Sequence, residues 1–157
     1  MAEYLKTSHP EKTLLGWREW AYLTSLNLPP IKAKIDTGAR TSALHAFELH
    51  TFFDGGQRWV HFCIHPRQDN RLIKVCVAPV IDRRQVSDSG GHRSFRYFIE
   101  SSLTLGHATF PIELSLTSRE TMRFRLLLGR SALQHRYVVD PALSFCLGKK
   151  PSYLHHG

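Results

Sequence analysis

The sequence predicts a mostly β domain, a barrel or sandwich with one short helix near its C-terminal end. Three observations carry this. Apolar and polar residues alternate over many short runs, glycines mark the turns between them, and only Arg130–Arg136 has persuasive helical patterning. The 157 residues, 42% hydrophobic and 22% charged, suit one domain with a real core and exclude wholesale disorder. No repeat, low-complexity run or linker divides the chain. Residues 1–12 are polar and read as a loose N-terminus, 13–148 as the domain, and 149–157 as a tail.

From Leu14 the texture is that of a strand: Leu15, Trp17 and Leu23 share one parity and Trp20 and Tyr22 the other, so both faces carry large side chains. Asn27-Leu28-Pro29-Pro30 ends it, because consecutive prolines cannot lie in a sheet centre. Ile31–Ile35 alternates apolar and basic residues, as a half-buried strand does. Ala43–Phe53 and Arg58–His65 read as strands joined at the Asp54-Gly55-Gly56 turn, and Leu72–Val80 as a further strand. Val86–His92 is a polar tip between two extended arms. The second arm, Phe95–Leu105, turns at Gly106-His107 into a strand over Ala108–Leu116. Phe124–Leu128 is a buried-looking run stopped by Gly129. The helix follows, and strands near Tyr137–Asp140 and Ser144–Leu147 close the chain.

Lys and Arg total 21 against 13 Asp and Glu, a formal charge of +8 that favours an anionic partner: nucleic acid, an acidic protein or a membrane surface. No apolar run is long enough to span a bilayer, and the first residues lack a signal peptide's apolar stretch. Cys63, Cys76 and Cys146 are too few and too irregularly spaced for a disulfide framework. A cytoplasmic protein is expected.

Asp36 follows the Ile31–Ile35 strand and precedes Thr37, Gly38 and Ala39. A carboxylate there sits on a rigid element, with a glycine that permits a tight turn and a threonine able to bond nearby backbone, as a positioned acid or base requires. An ordinary turn has the same composition. Far downstream, Leu126-Leu127-Leu128-Gly129-Arg130 joins an apolar run to the short helix. His61, Cys63 and His65 alternate, so a strand would aim all three to one side, where zinc accepts imidazole and thiolate; two half-exposed histidines flanking a buried cysteine would look identical. No His-Glu-x-x-His and no P-loop occurs. Trp17, Trp20 and Phe124 read as core or interface. Arg83, Arg84, Arg93 and Arg96 could contact phosphate or carboxylate, or guard a sheet edge. Arg93-Ser94-Phe95-Arg96-Tyr97 interleaves aromatic and basic residues, so nucleic acid is not excluded as a partner.

Asp36-Thr37-Gly38-Ala39 together with Leu127-Leu128-Gly129-Arg130 resembles the retropepsin-like aspartic proteases, which brace their Asp-Thr-Gly-Ala loop with an apolar pair, Gly-Arg and a short helix. Leu15–Trp20, Ile31–His45, Pro111–Leu114 and Met122–Arg130 resemble more closely a bacterial and archaeal family often labelled "ATP-dependent zinc protease", grouped with retropepsin-like peptidases. Its relatives are associated with ATP-grasp ligases that add glutamates to a ribosomal protein.

The resemblance implies a closed retropepsin-like barrel of six or more strands. It implies an aspartic endopeptidase with no cofactor, in which Asp36, Thr37 and Gly38 form the catalytic loop and Ala39, Leu127, Leu128, Gly129 and Arg130 brace it. One Asp-Thr-Gly per chain implies a homodimer whose two Asp36 carboxylates share a proton. Ser87, Asp88, Ser89, Gly90, Gly91 and His92 then form a flap over the substrate. Arg40 stands where retropepsins usually carry an acidic residue that pairs with the Gly-Arg arginine, so Arg130 needs another partner. A basic residue beside the loop suits an acidic, glutamate-rich substrate. Alternatives are a non-catalytic module of the same fold that docks an acidic protein or RNA, and a metal-dependent hydrolase built on His61, Cys63 and His65.

Overall fold

The computed structural model describes residues 12–68, 71–87, 90–118 and 123–148. The N-terminal segment 1–12 (Lys12 apart) and the tail 149–157 lie outside the described residues. Among the described residues, twelve strands and one helical turn run in the order β1 (Thr13–Leu15), β2 (Arg18–Leu23), β3 (Ile31–Ile35), β4 (Ser42–His45), β5 (Phe47–Asp54), β6 (Gln57–Ile64), β7 (Lys74–Pro79), β8 (Asp82–Ser87), β9 (Arg93–Leu105), β10 (Ala108–Thr117), β11 (Leu126–Leu128), α1 (Arg130–Leu133) and β12 (Tyr137–Val139). A 3₁₀ turn over Thr24–Leu26 follows β2.

The main sheet has the order β10-β4-β11-β3-β2-β9-β8, and β9 also pairs with β10, so the pairings return to the strand they began from. Two contacts in that circuit, β4 with β10 and β3 with β11, are parallel pairings between strands far apart in sequence. β5, β6 and β7 form a separate antiparallel sheet, and β1 pairs in parallel with β12. The mostly β expectation therefore holds, with the stretch after His45 set aside as its own sheet. Its alternation is what attaches it: Val60, Phe62, Ile64, Cys76 and Ala78 point into the core shared with Leu23, Leu44, Ile99, Leu103 and Leu114. The other faces of β5 and β7 leave Phe52, Val75 and Val77 exposed.

The structure corrects four element assignments. The strand from Leu14 breaks at Gly16–Trp17, because a Cβ on Gly16 would overlap the Leu143 carbonyl and Trp17 N–H donates to that same oxygen at 2.8 Å. Ala43–Phe53 is two strands: Ala46 N–H leaves to bond the Thr117 carbonyl, and Glu48 adopts φ 52° within a register shift. The helix stops at Leu133 rather than Arg136, since Gln134 turns to an extended ψ of 144° and His135 after it takes the left-handed conformation, φ 71°. Ser144–Leu147 is not a strand. Phe145 sits at φ 53°, and the N–H groups of Cys146 and Leu147 bond the carboxylate of the fully buried Glu19 at 2.9 and 3.1 Å.

Candidate active site

Asp36 follows directly on β3, and its N–H donates to the Leu128 carbonyl of β11 at 2.8 Å. Its Oδ1 accepts the Gly38 N–H at 3.1 Å, and its carbonyl accepts the Ala39 N–H at 3.2 Å. The loop is a tight turn closed partly by the carboxylate itself. Asp36 and Ala39 are half-buried, while Thr37, Gly38 and Arg40 are exposed.

The run from Leu127 to Arg130 holds this loop. Arg130 N–H donates to the Ala39 carbonyl at 2.9 Å and Ser131 N–H to the Arg40 carbonyl at 3.0 Å. Gly129 N–H reaches the buried Ser42 hydroxyl at 3.0 Å. Leu126 and Leu128 anchor the brace in the core, and Leu127 is half-buried. A Cβ on Gly129 would lie 2.6 Å from the Thr41 carbonyl oxygen, so the two backbones meet here because no side chain intervenes. Gly38 differs: its φ is not positive, and an added Cβ would meet only Asp36 Oδ1 at 3.4 Å. The glycine that permits the close approach is thus Gly129.

Arg130 finds the partner that Arg40 denies it. Its Nη1 donates to the Thr37 carbonyl at 3.1 Å, tying the exposed side of the loop to α1. Arg84, also a candidate for binding anions, is committed elsewhere: it bridges Asp82 and Glu113 at 2.7 Å each and lies over the Phe98 ring. Bonding from Arg84 holds the Asp82 carboxyl below the usual carboxylate range. Arg83 stacks on Phe95. Trp17 packs edge-on against Phe124, and Trp20 stacks on Phe145, so these rings meet within one chain.

Ser87 ends β8 and pairs with Arg93 of β9, making the two strands a hairpin. Gly90, Gly91 (φ 82°) and His92 of its tip are exposed; Asp88 and Ser89 lie outside the described residues. A groove of about 530 Å³ opens along the β9 arm, and Asp36 is not in its wall.

His61, Cys63 and His65 are not gathered. His61 faces His50 across the β5–β6 ladder, the Cys63 thiol approaches Glu48 at 3.9 Å, and His65, past the end of β6, stacks on Phe47. Burial, then the Glu48 charge, push the Cys63 thiol up in pKa. Among the described residues no group of three His, Cys, Asp or Glu side chains is placed to hold a metal ion. Sequence reasoning missed Ser42 and Glu19. Glu19 gathers the N–H groups of Gly16, Cys146 and Leu147, and the next carbonyl along, Trp17's, accepts the Ile35 N–H just before Asp36. A glutamate inside an alternating strand is the one signal that could have flagged it.

A profile of the RimB-like family, described as retropepsin-like aspartic endopeptidase RimB, matches residues 14–150. The chain belongs to the RimB-like family. Proteins named "Probable alpha-L-glutamate ligase" are similar to it: one from Shewanella pealeana is 44% identical over 140 residues, 88% of this chain and 31% of that protein. One from Desulfotalea psychrophila is 42% identical over 139 residues, 88% of this chain and 30% of the relative. The chain thus spans about a third of the length of the curated relatives it matches. A crystal structure of a Legionella pneumophila protein with unknown function superposes with a TM-score of 0.71 at 27% identity, covering 86% of this chain and 98% of that one. For the RimB-like family the retropepsin-like description fits a mostly β chain with one short helix. No helix among the described residues is long and apolar enough to cross a membrane.

Proposed function

We propose that this chain is an aspartic endopeptidase whose catalytic pair is completed by Asp36 from each of two copies. The observation that carries the reading is the Asp36 loop: a half-exposed carboxylate at the end of a core strand, its backbone pinned to β11 and α1. The family's description supports the chemistry, and the circuit of strand pairings supports a closed six-stranded barrel beneath the loop. Each chain supplies one Asp-Thr-Gly, so the second carboxylate comes from a partner across a two-fold axis. Two carboxyl groups at about 3 Å share one proton. One takes a proton from the attacking water while the other donates to the carbonyl oxygen. The β8–β9 hairpin tip closes over the substrate and excludes bulk water.

An acidic, glutamate-rich protein is the substrate this reading favours. Lys34 and Arg40 are exposed on either side of Asp36, in a chain of net charge +8. The relatives named as glutamate ligases carry a region like this chain in one polypeptide with further sequence, which supports association with such a ligase. The test is mass spectrometry of glutamate-extended and neutral peptides with wild type and Asp36→Asn across roughly pH 4–8. Cleavage by wild type alone is expected. A folded, dimeric Asp36→Asn that still cleaves would refute the assignment.

A further inference from the structure

The β9–β10 ladder runs from Leu105↔Ala108 to Phe98↔Ser115 and stops there. Continued in the same register, it would set Tyr97, Arg96 and Phe95 against Leu116, Thr117 and Ser118. Instead the two strands diverge. β9 carries on along β8 to Arg93↔Ser87, while β10 stays with β4 to Thr117↔His45, where the Thr117 carbonyl accepts the Ala46 N–H. The groove of about 530 Å³ fills the opening between them. Ser94–Tyr97 form one wall, Leu116–Ser118 the other, and Glu48 and Leu49 lie at the bulged start of β5. Its volume lies in the range of roughly 300–1,000 Å³ typical of ligand sites.

Two strands that part company leave a slot shaped for a third. Each wall is a strand that still belongs to a sheet on its far side, so both are held rigid. The slot is about four residues long, or roughly 13 Å of extended chain. Leu49 and the exposed Phe95 offer apolar contact to side chains of whatever lies between the walls. A small, compact ligand would use neither the length nor the strand geometry. An extended polypeptide uses both, by adding a strand to an existing sheet.

We infer that this wedge is a peptide-strand site: an extended segment of the polypeptide substrate, outside the scissile bond, lies between β9 and β10 and continues the β9 sheet. The inference rests on the peptide-substrate reading above. It assigns binding to Ser94–Tyr97 and Leu116–Ser118, which lie beside the hairpin arm rather than in the Asp36 loop or at the hairpin tip. Ser94 is exposed, so a bulky side chain there obstructs the slot from solvent without entering the core.

The experiment uses the full-length Asp36→Asn protein and a glutamate-extended dodecapeptide as probe. Bound peptide should slow amide exchange between Ser94 and Tyr97. N-methylation of successive peptide residues should weaken binding at every second position, because only alternate N–H groups face one neighbouring strand. Ser94→Trp, shown folded by circular dichroism, should weaken binding about tenfold or more. Unchanged exchange at Ser94–Tyr97 on binding, an N-methyl profile without alternation, or a folded protein that captures no peptide overturns the inference. The two readings fail separately. A Ser94→Trp protein with Asp36 intact that cleaves with the same KM as wild type keeps the endopeptidase and loses the slot. A wild type that never cleaves, beside an Asp36→Asn protein with the alternating profile, loses the endopeptidase and keeps the slot.

Discussion

Gly129 and Gly38 flank the same loop, yet replacing each with alanine should give opposite results. In Gly129→Ala the new Cβ lies 2.6 Å from the Thr41 carbonyl oxygen, 2.7 Å from its carbon and 3.0 Å from the Ala39 oxygen, where ordinary contact begins at 3.4 Å. About 0.8 Å must be found, and every atom in the way is backbone. Moving it strains the Gly129 N–H bond to Ser42 and the Arg130 N–H bond to Ala39. Overpacking of this kind costs roughly 1–3 kcal/mol, and one weakened buried hydrogen bond about 1 more. A total near 3 kcal/mol lowers Tm by about 6–12 °C in a chain of this size. Gly129 has φ −94°, so no backbone strain adds to the steric cost. Gly38→Ala, which brings its Cβ only to 3.4 Å from Asp36 Oδ1, should shift Tm by a few degrees at most. Thermal melts by circular dichroism give both numbers. Equal destabilisation by the two substitutions, or an unchanged Tm for Gly129→Ala, would refute the account of the brace.

Arg130→Met removes the donor to the Thr37 carbonyl from an exposed position. It should cost under about 1 kcal/mol of stability but lower kcat/KM on a cleavable peptide roughly a hundredfold, as a misplaced catalytic loop does; equal losses of both would contradict it. Glu19→Gln keeps the size of the buried side chain but gives up a charged acceptor shared by three N–H groups. Its urea midpoint should fall by an amount equivalent to about 2–3 kcal/mol, and a neutral result would make the carboxylate dispensable. The lowered Asp82 pKa means that its bridge to Arg84 contributes stability above the ordinary carboxylate pKa, and that this is lost as pH falls through the lower folded value. Melts of wild type and Arg84→Gln should therefore converge as the pH falls below the ordinary carboxylate range, and a gap that widens in acid would reverse the sign.

Local pattern was enough for β3, β6 and the long β9–β10 pair, where alternation and a glycine turn agree with what the tertiary structure needs. The Asp36 loop and the run that holds it were visible for a different reason: short motifs at both places, between which the structure supplies the hydrogen bonds. What alternation could not reveal was decided by partners far along the chain. The break at Gly16, the coil over Ser144–Leu147 and the burial of Glu19 are one arrangement, joined by bonds across some 127 residues. Arg130 was visible as a residue in need of a partner, but a backbone carbonyl leaves no mark in sequence. The separate β5–β7 sheet was read strand by strand, because periodicity says which face is buried and not which sheet owns it.

The Asp36 loop and its brace are 93 residues apart in the chain, counted from Thr37 to Arg130. On the ribosome this means that the loop emerges long before anything exists to hold it. Its strand can pair with β2 early, but the parallel partner β11 and the Thr37 contact arrive only once residues 126–130 are made. Such long-range parallel pairing is slow to form. The Asp36 carboxylate is therefore set in its native geometry among the last events of folding, so a nascent or truncated chain holds the Asp-Thr-Gly motif without the braced loop.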